Sequence, residues 1–159
     1  MRKISRGTVV VGIALVVTLG GTLGVGAHQN AEPKGNHGCS VASIKGTYGI
    51  QILGTRPSAP GGPIESVIGV VIRNYDGRGQ FSQVDNVKGS ISGIVPDRPG
   101  FGTYQVNEDC SGVAQLQPAP GTLLEERLVI VDDANEIRSM TILPPPVMVT
   151  GVHKRIDAR

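Results

Sequence analysis

The stretch ESVIGVVIRNYDGRGQFSQVDNV, residues 65–87, decides the fold. Glu65 to Tyr75 is rich in β-branched residues and apolar on both faces at its centre, as a strand in a packed sheet requires. Asp76-Gly77 supplies the positive φ of a tight hairpin, and Gln80 to Val87 returns as the partner strand. The Gly77-Arg78-Gly79 triplet is therefore turn chemistry and not a phosphate-binding loop.

The same pattern repeats on both sides. Upstream, Gly46 to Leu53 (GTYGIQIL) alternates with Tyr48, Ile50 and Ile52 on one face. Thr55 to Pro63 (TRPSAPGGP) is a Pro/Gly loop long enough to cover or line an opening. Downstream, Ser90 to Val95 reads as a short strand ended by Pro96 and Pro99. Gly102 to Val106 and Cys110 to Gln117 form a second hairpin, and Thr122 to Val131 and Glu136 to Leu143 a third. Met148 to Lys154 closes the series after Pro144 to Pro146. Leu124, Leu128 and Val131 have helical spacing, but the Leu-Val-Ile-Val end and the acidic turn that follows favour a strand.

The expectation is all-β: an antiparallel up-and-down β-barrel of about eight strands, or nine, over residues 45–156. Closure is preferred to a sandwich because it leaves no unpaired edge.

Residues 1–27 read as a signal peptide. Arg2, Lys3 and Arg6 precede a mostly apolar run from Val9 to Leu19, and a small-residue stretch ends in Val25-Gly26-Ala27. Cleavage is expected after Ala27, with a flexible segment over 28–44 and a secreted or periplasmic product. An uncleaved leader would be the one membrane-bound part. Removing the three leader charges leaves 12 basic residues against 13 acidic ones, a charge of −1. No basic stripe interleaved with aromatics remains, so nucleic acid is not an expected partner.

Cys39 and Cys110 are the two cysteines, both beyond the leader, and an even pair in an exported domain reads as a disulfide. His37 with Cys39 is too small a set for a metal centre. Neither a metal nor a cofactor is implied.

Four segments, 39–51, 71–87, 102–112 and 128–140, followed by VTGVHKR, carry a resemblance. The chain resembles a group of small secreted bacterial proteins that begin with Cys and a Gly-Thr-Tyr-Gly strand. These carry a Tyr-x-Val-Asn-x-Asp-Cys-Ser/Thr-Gly hairpin, and their general look is that of calycin-like and allene-oxide-cyclase-like barrels. The resemblance implies an eight-stranded barrel with a small, mostly apolar interior, and supplies no catalytic residues. The Gly-x-Trp strand of avidins and lipocalins is absent, with Tyr48 in the comparable place.

There is no Gly-x-Ser-x-Gly elbow, His-Glu-x-x-His motif, Walker loop or dinucleotide fingerprint. His153, beside Lys154 and Arg155, reads as a solvent-facing terminal histidine. Glu125 and Glu126 point to opposite faces if the run is a strand, which leaves one of them free to face inward. The same holds for Arg73/Asn74 and Arg138/Ser139.

Alternation places Glu65, Arg73 and Tyr75 on one face, and Phe81, Gln83 and Asp85 on one face of the partner strand. With Tyr48, the polar members of these sets are the candidate ligand-binding residues. The competing placement is favoured by the sequence: an outer-face pairing of Arg73 with Asp85 or Gln83, contributing roughly a few tenths of a kcal/mol. Three functions follow. The first is an exported barrel binding a small apolar molecule. The others are a cofactor-independent isomerase or cyclase of the allene-oxide-cyclase type, and a structural envelope-interaction protein with a filled interior.

Overall fold

A computed structural model describes residues 38–119 and 121–156. The signal peptide and most of the expected flexible segment lie outside the described residues. Eight antiparallel strands form a closed barrel in sequence order: β1 (Gly46–Pro57), β2 (Ile64–Tyr75), β3 (Gln80–Gly89), β4 (Gly93–Val106), β5 (Ser111–Ala119), β6 (Thr122–Val131), β7 (Glu136–Leu143) and β8 (Met148–Arg155). β8 pairs back onto β1, with Ile50 opposite His153, and closes the wall. No helix among the described residues is long and apolar enough to cross a membrane.

The hairpin at 65–87 forms as its residues dictate. Gly77 and Gly79 take φ of 76° and 100°. The Asp76 carboxylate accepts from the Arg78 and Gln80 backbone N–H groups and fixes the turn. Alternation puts Val67, Val71, Arg73 and Tyr75 inside, while Ile68, Val70 and Ile72 are exposed on the outer wall.

One expectation fails at β4. The strand expected over Ser90–Val95 begins only at Gly93, with Ser90–Ser92 forming the β3–β4 turn. It runs through Pro96 and Pro99 into Gly102–Val106 as one strand, which leaves eight strands and not nine. Pairing with β5 begins only at Phe101, opposite Gln117, so the first half of β4 bonds to β3 alone. The ladder to β3 also slips between the Asp85–Arg98 and Val87–Val95 pairs, so Pro96 and Asp97 form a bulge where no ladder N–H is required.

The expected disulfide between Cys39 and Cys110 is present. It holds part of the segment expected to be flexible against the barrel: Val41–Ile44 is a 3₁₀ turn, and Ile44 is fully buried. This end of the barrel is filled. Tyr75 meets Tyr48 and Tyr104 edge-on at centroid distances of 5.5 and 4.9 Å, a favoured geometry for aromatic pairs. The Tyr104 hydroxyl donates to the Val41 carbonyl at 3.0 Å, and the Tyr48 hydroxyl donates to the Ala134 carbonyl at 2.6 Å. Both phenols thus bury their rings with their polar atoms paired.

Candidate functional site: a cavity with a polar floor

The opposite end is open. A cavity of about 490 Å³ enters the barrel there, within the range of roughly 300–1,000 Å³ typical of small-molecule sites. Its walls carry Ile52, Val67, Val87, Leu116, Leu124 and Val149, and its mouth is framed by Pro57–Pro60, Pro118 and Pro144. The Pro/Gly loop after β1 thus lines the opening. A shallower depression of about 580 Å³ runs along the outer wall past Val70, Val84 and Lys154; it is surface relief and not interior.

The cavity floor is polar and sits on the tyrosine layer. Arg73 is buried, with Nε donating to Gln83 Oε1 at 2.8 Å and Nη1 donating to Tyr75 Oη at 3.2 Å. Nη1 also reaches Glu126 Oε2 at 2.8 Å, and the guanidinium lies 4.3 Å from the Phe81 ring centre. Gln83 Nε2 donates to Asp85 at 3.2 Å, and Arg98 makes a forked pair with Asp85 at 3.0 and 3.2 Å. His153 Nδ1 lies 3.3 Å from Tyr75 Oη, and Nε2 lies 3.0 Å from Ser139 Oγ.

The ionisation of these groups follows from burial and pairing. Burial opposes the Arg73 charge, but Glu126 and the Tyr75 hydroxyl outweigh it and raise its pKa above the ordinary value. Burial likewise opposes the Glu126 carboxylate, and Arg73 beside it brings its pKa down. Burial pushes Tyr75 up to about 12. Burial, reinforced by Arg73, pushes His153 down to about 3, so its imidazole is neutral.

The candidate residues separate on this geometry. Arg73, Gln83 and Asp85 line the cavity, which corrects the outer-face pairing the sequence favoured. Tyr48 belongs to the filled end and does not line the cavity, and Tyr75 underlies the floor with only its hydroxyl in the polar network. Glu65 is buried at the rim of the open end. Its carboxylate accepts from the backbone N–H groups of Ile91 and Ser92, the Ser92 hydroxyl and Arg56. The Ser92 backbone bond leads in holding it down to about 2. Gly89 opposite leaves the needed room, since a Cβ there would lie 2.2 Å from that carboxylate. Glu65 therefore ties the β3–β4 turn.

His153 is the larger correction: it is 1% exposed and inside the barrel. The flanking charges suggested solvent, but Lys154 points the other way from it, and Arg155, which shares its face, lays its guanidinium over the Tyr48 ring at the filled end. Glu126, Ser139 and Thr141 also line the cavity. Alternation from Leu124 and Leu128 marks Glu126 as inward, whereas nothing in the sequence shows Ser139 and His153 meeting.

No family model and no curated protein matches the chain. Among solved structures, the chain is similar to the S-type phycobiliprotein lyase CPES from Guillardia theta at 9% identity and a TM-score of 0.37. That match covers 75% of this chain and 92% of the lyase. So distant a likeness carries no functional argument; the barrel's own interior must supply one.

Proposed function

We propose that this protein is an exported barrel that binds a small, largely apolar molecule in its open end. The observation that carries the reading is the cavity itself: about 490 Å³ with aliphatic walls above an internally paired polar floor. A binding site takes most of its affinity from apolar burial and its orientation from a few fixed polar groups. Arg73, Gln83, Asp85, Glu126 and Ser139 are the ligand-facing polar residues.

Binding is better supported than isomerisation. General acid–base catalysis works best with a group titrating near the working pH. Here Tyr75 is raised to about 12, His153 lowered to about 3, and Glu126 held down by Arg73. A filled structural barrel would lack the cavity.

The export half of the proposal rests on the leader, and the Cys39–Cys110 disulfide is compatible with a periplasmic or extracellular protein. Three measurements test the whole. Native mass spectrometry of protein purified from its source is expected to show a retained small molecule, and N-terminal sequencing to begin at His28. Failure to retain any molecule, together with no binding of the uncharged dye Nile red, overturns the binding half. An intact Met1 on protein recovered outside the cytoplasm overturns cleavage.

A further inference from the structure

The polar floor narrows the chemistry of the ligand. Among the described residues, each arginine at the cavity faces a carboxylate: Arg73 with Glu126, Arg98 with Asp85 and Arg56 with Glu65. The floor is therefore rich in charges but carries no net charge to offer. Arg73 is engaged with Gln83, Tyr75 and Glu126, and removing a partner from such a buried pair is costly. An incoming carboxylate would meet the Glu126 and Asp85 carboxylates with no spare cation to offset them.

Donor and acceptor roles in the floor run in one direction. A guanidinium can only donate, so Tyr75 Oη accepts from Arg73. Among the described residues the Tyr75 proton has no acceptor other than His153 Nδ1, and pairing this buried donor assigns Nδ1 as the acceptor. A neutral imidazole with an accepting Nδ1 carries its proton on Nε2, and that proton is donated to Ser139 Oγ. Ser139 lines the cavity, and its own hydroxyl proton has no other side-chain partner in the hydrogen-bond network of the described residues. The chain from Arg73 through Tyr75 and His153 thus ends on one hydroxyl donor at the cavity wall.

Gly151 stands opposite Ser139 in the β7–β8 register, and a Cβ there would lie 2.5 Å from Ser139 Oγ. Gly151 thus leaves room for the hydroxyl where it stands, and a side chain there would push it aside.

We propose that the barrel selects an uncharged ligand whose carbonyl oxygen accepts a hydrogen bond from Ser139, and that it discriminates against carboxylates of the same chain length. This rests on the binding function proposed above and adds the ligand's headgroup chemistry. A neutral carbonyl fits on both counts: it accepts the one donor on offer and adds no charge beside Glu126.

Three probes of matched length separate the possibilities: 2-undecanone, decanoate at pH 7.5 and undecane, each titrated into the mature protein and followed by ¹H–¹⁵N NMR. The ketone is expected to bind at least about tenfold more tightly than decanoate. In Ser139→Ala its affinity should fall about 2- to 12-fold toward that of undecane, the range for one neutral hydrogen bond. Undecane binding should be unchanged by the substitution.

Decanoate binding as tightly as the ketone, or a ketone affinity untouched by Ser139→Ala, overturns the headgroup assignment while leaving the barrel a ligand binder. Binding of none of the three overturns both. The comparison of probes on the wild-type protein stands even if the variant folds poorly.

Discussion

His153 makes the stability of this barrel depend on pH in a window where few other groups titrate. It is buried against Arg73, Tyr75 and Glu126, and its pKa is lowered from 6.5 to about 3. Between those values the unfolded chain takes up a proton that the folded barrel refuses. Stability from this residue is therefore full above pH 6.5 and is lost as pH falls toward 3. One proton corresponds to about 1.4 kcal/mol per pH unit once the unfolded imidazole is fully protonated, so acidification from 6.5, where it is half protonated, to 4.5 should remove about 2 kcal/mol. That is a large share of the roughly 5–15 kcal/mol by which domains of this kind are stable. Below pH 4.5, protonation of Glu65 and Glu126, both held down in the folded state, adds loss of the same sign. The assay is urea unfolding followed by far-ultraviolet circular dichroism at half-unit pH steps, for the wild type and His153→Gln. Glutamine keeps polar atoms in place without titrating. Because His28 and His37 are common to both proteins, the difference in slope isolates His153. Parallel curves from pH 6.5 to 4.5 would refute the reasoning.

Glu126→Gln leaves the Arg73 guanidinium buried without its countercharge and should cost about 3 kcal/mol. The double replacement Arg73→Met with Glu126→Leu should recover most of it, and a single variant with the wild-type urea midpoint would count against the pair. Replacing both Cys39 and Cys110 by serine opens a closure spanning 71 residues and should cost about 4 kcal/mol by the chain-entropy relation. The thermal midpoint should fall in that variant, and its sensitivity to reductant should vanish. Gly102→Ala would place a Cβ 2.1 Å from the Gln115 carbonyl and 2.4 Å from the Phe81 ring. Such overpacking should destabilise by roughly 3 kcal/mol or abolish folding, and a soluble variant with an unchanged midpoint would show that the wall yields.

The fold was legible in the sequence because a strand's two faces alternate with period two and most turns announced themselves in Gly, Asn, Asp or Pro. The β3–β4 turn at Ser90–Ser92 contains none of these and reads as the start of a strand. Eight such runs at hairpin spacing, with no long amphipathic helix, leave few architectures open. The exception is instructive. Pro96 and Pro99 marked a break because prolines interrupt ladders, yet β4 runs through both along an unpaired edge. Register between neighbours, which freed that edge, is not written in either strand alone.

The candidate site was half legible. Alternation grouped Arg73 with Tyr75 and Gln83 with Asp85, and these groups do share the interior. What alternation leaves undecided is which of two faces turns inward, and for a strand as apolar as Glu65–Tyr75 both were available. Curvature of the closed wall made that choice. It carried Ile68, Val70 and Ile72 outside and brought Arg73 within reach of Glu126, 53 residues along the chain.

By itself, the sequence determined the strand order, the hairpins other than β3–β4 and the cysteine pair, since each depends on local turn chemistry or on parity. Tertiary structure alone decided that one end is sealed by tyrosines and the other is open. It also joined Tyr75, His153 and Ser139 into one hydrogen-bonded line. Closure sets the distances between side chains on strands far apart in sequence, and no local pattern encodes those distances.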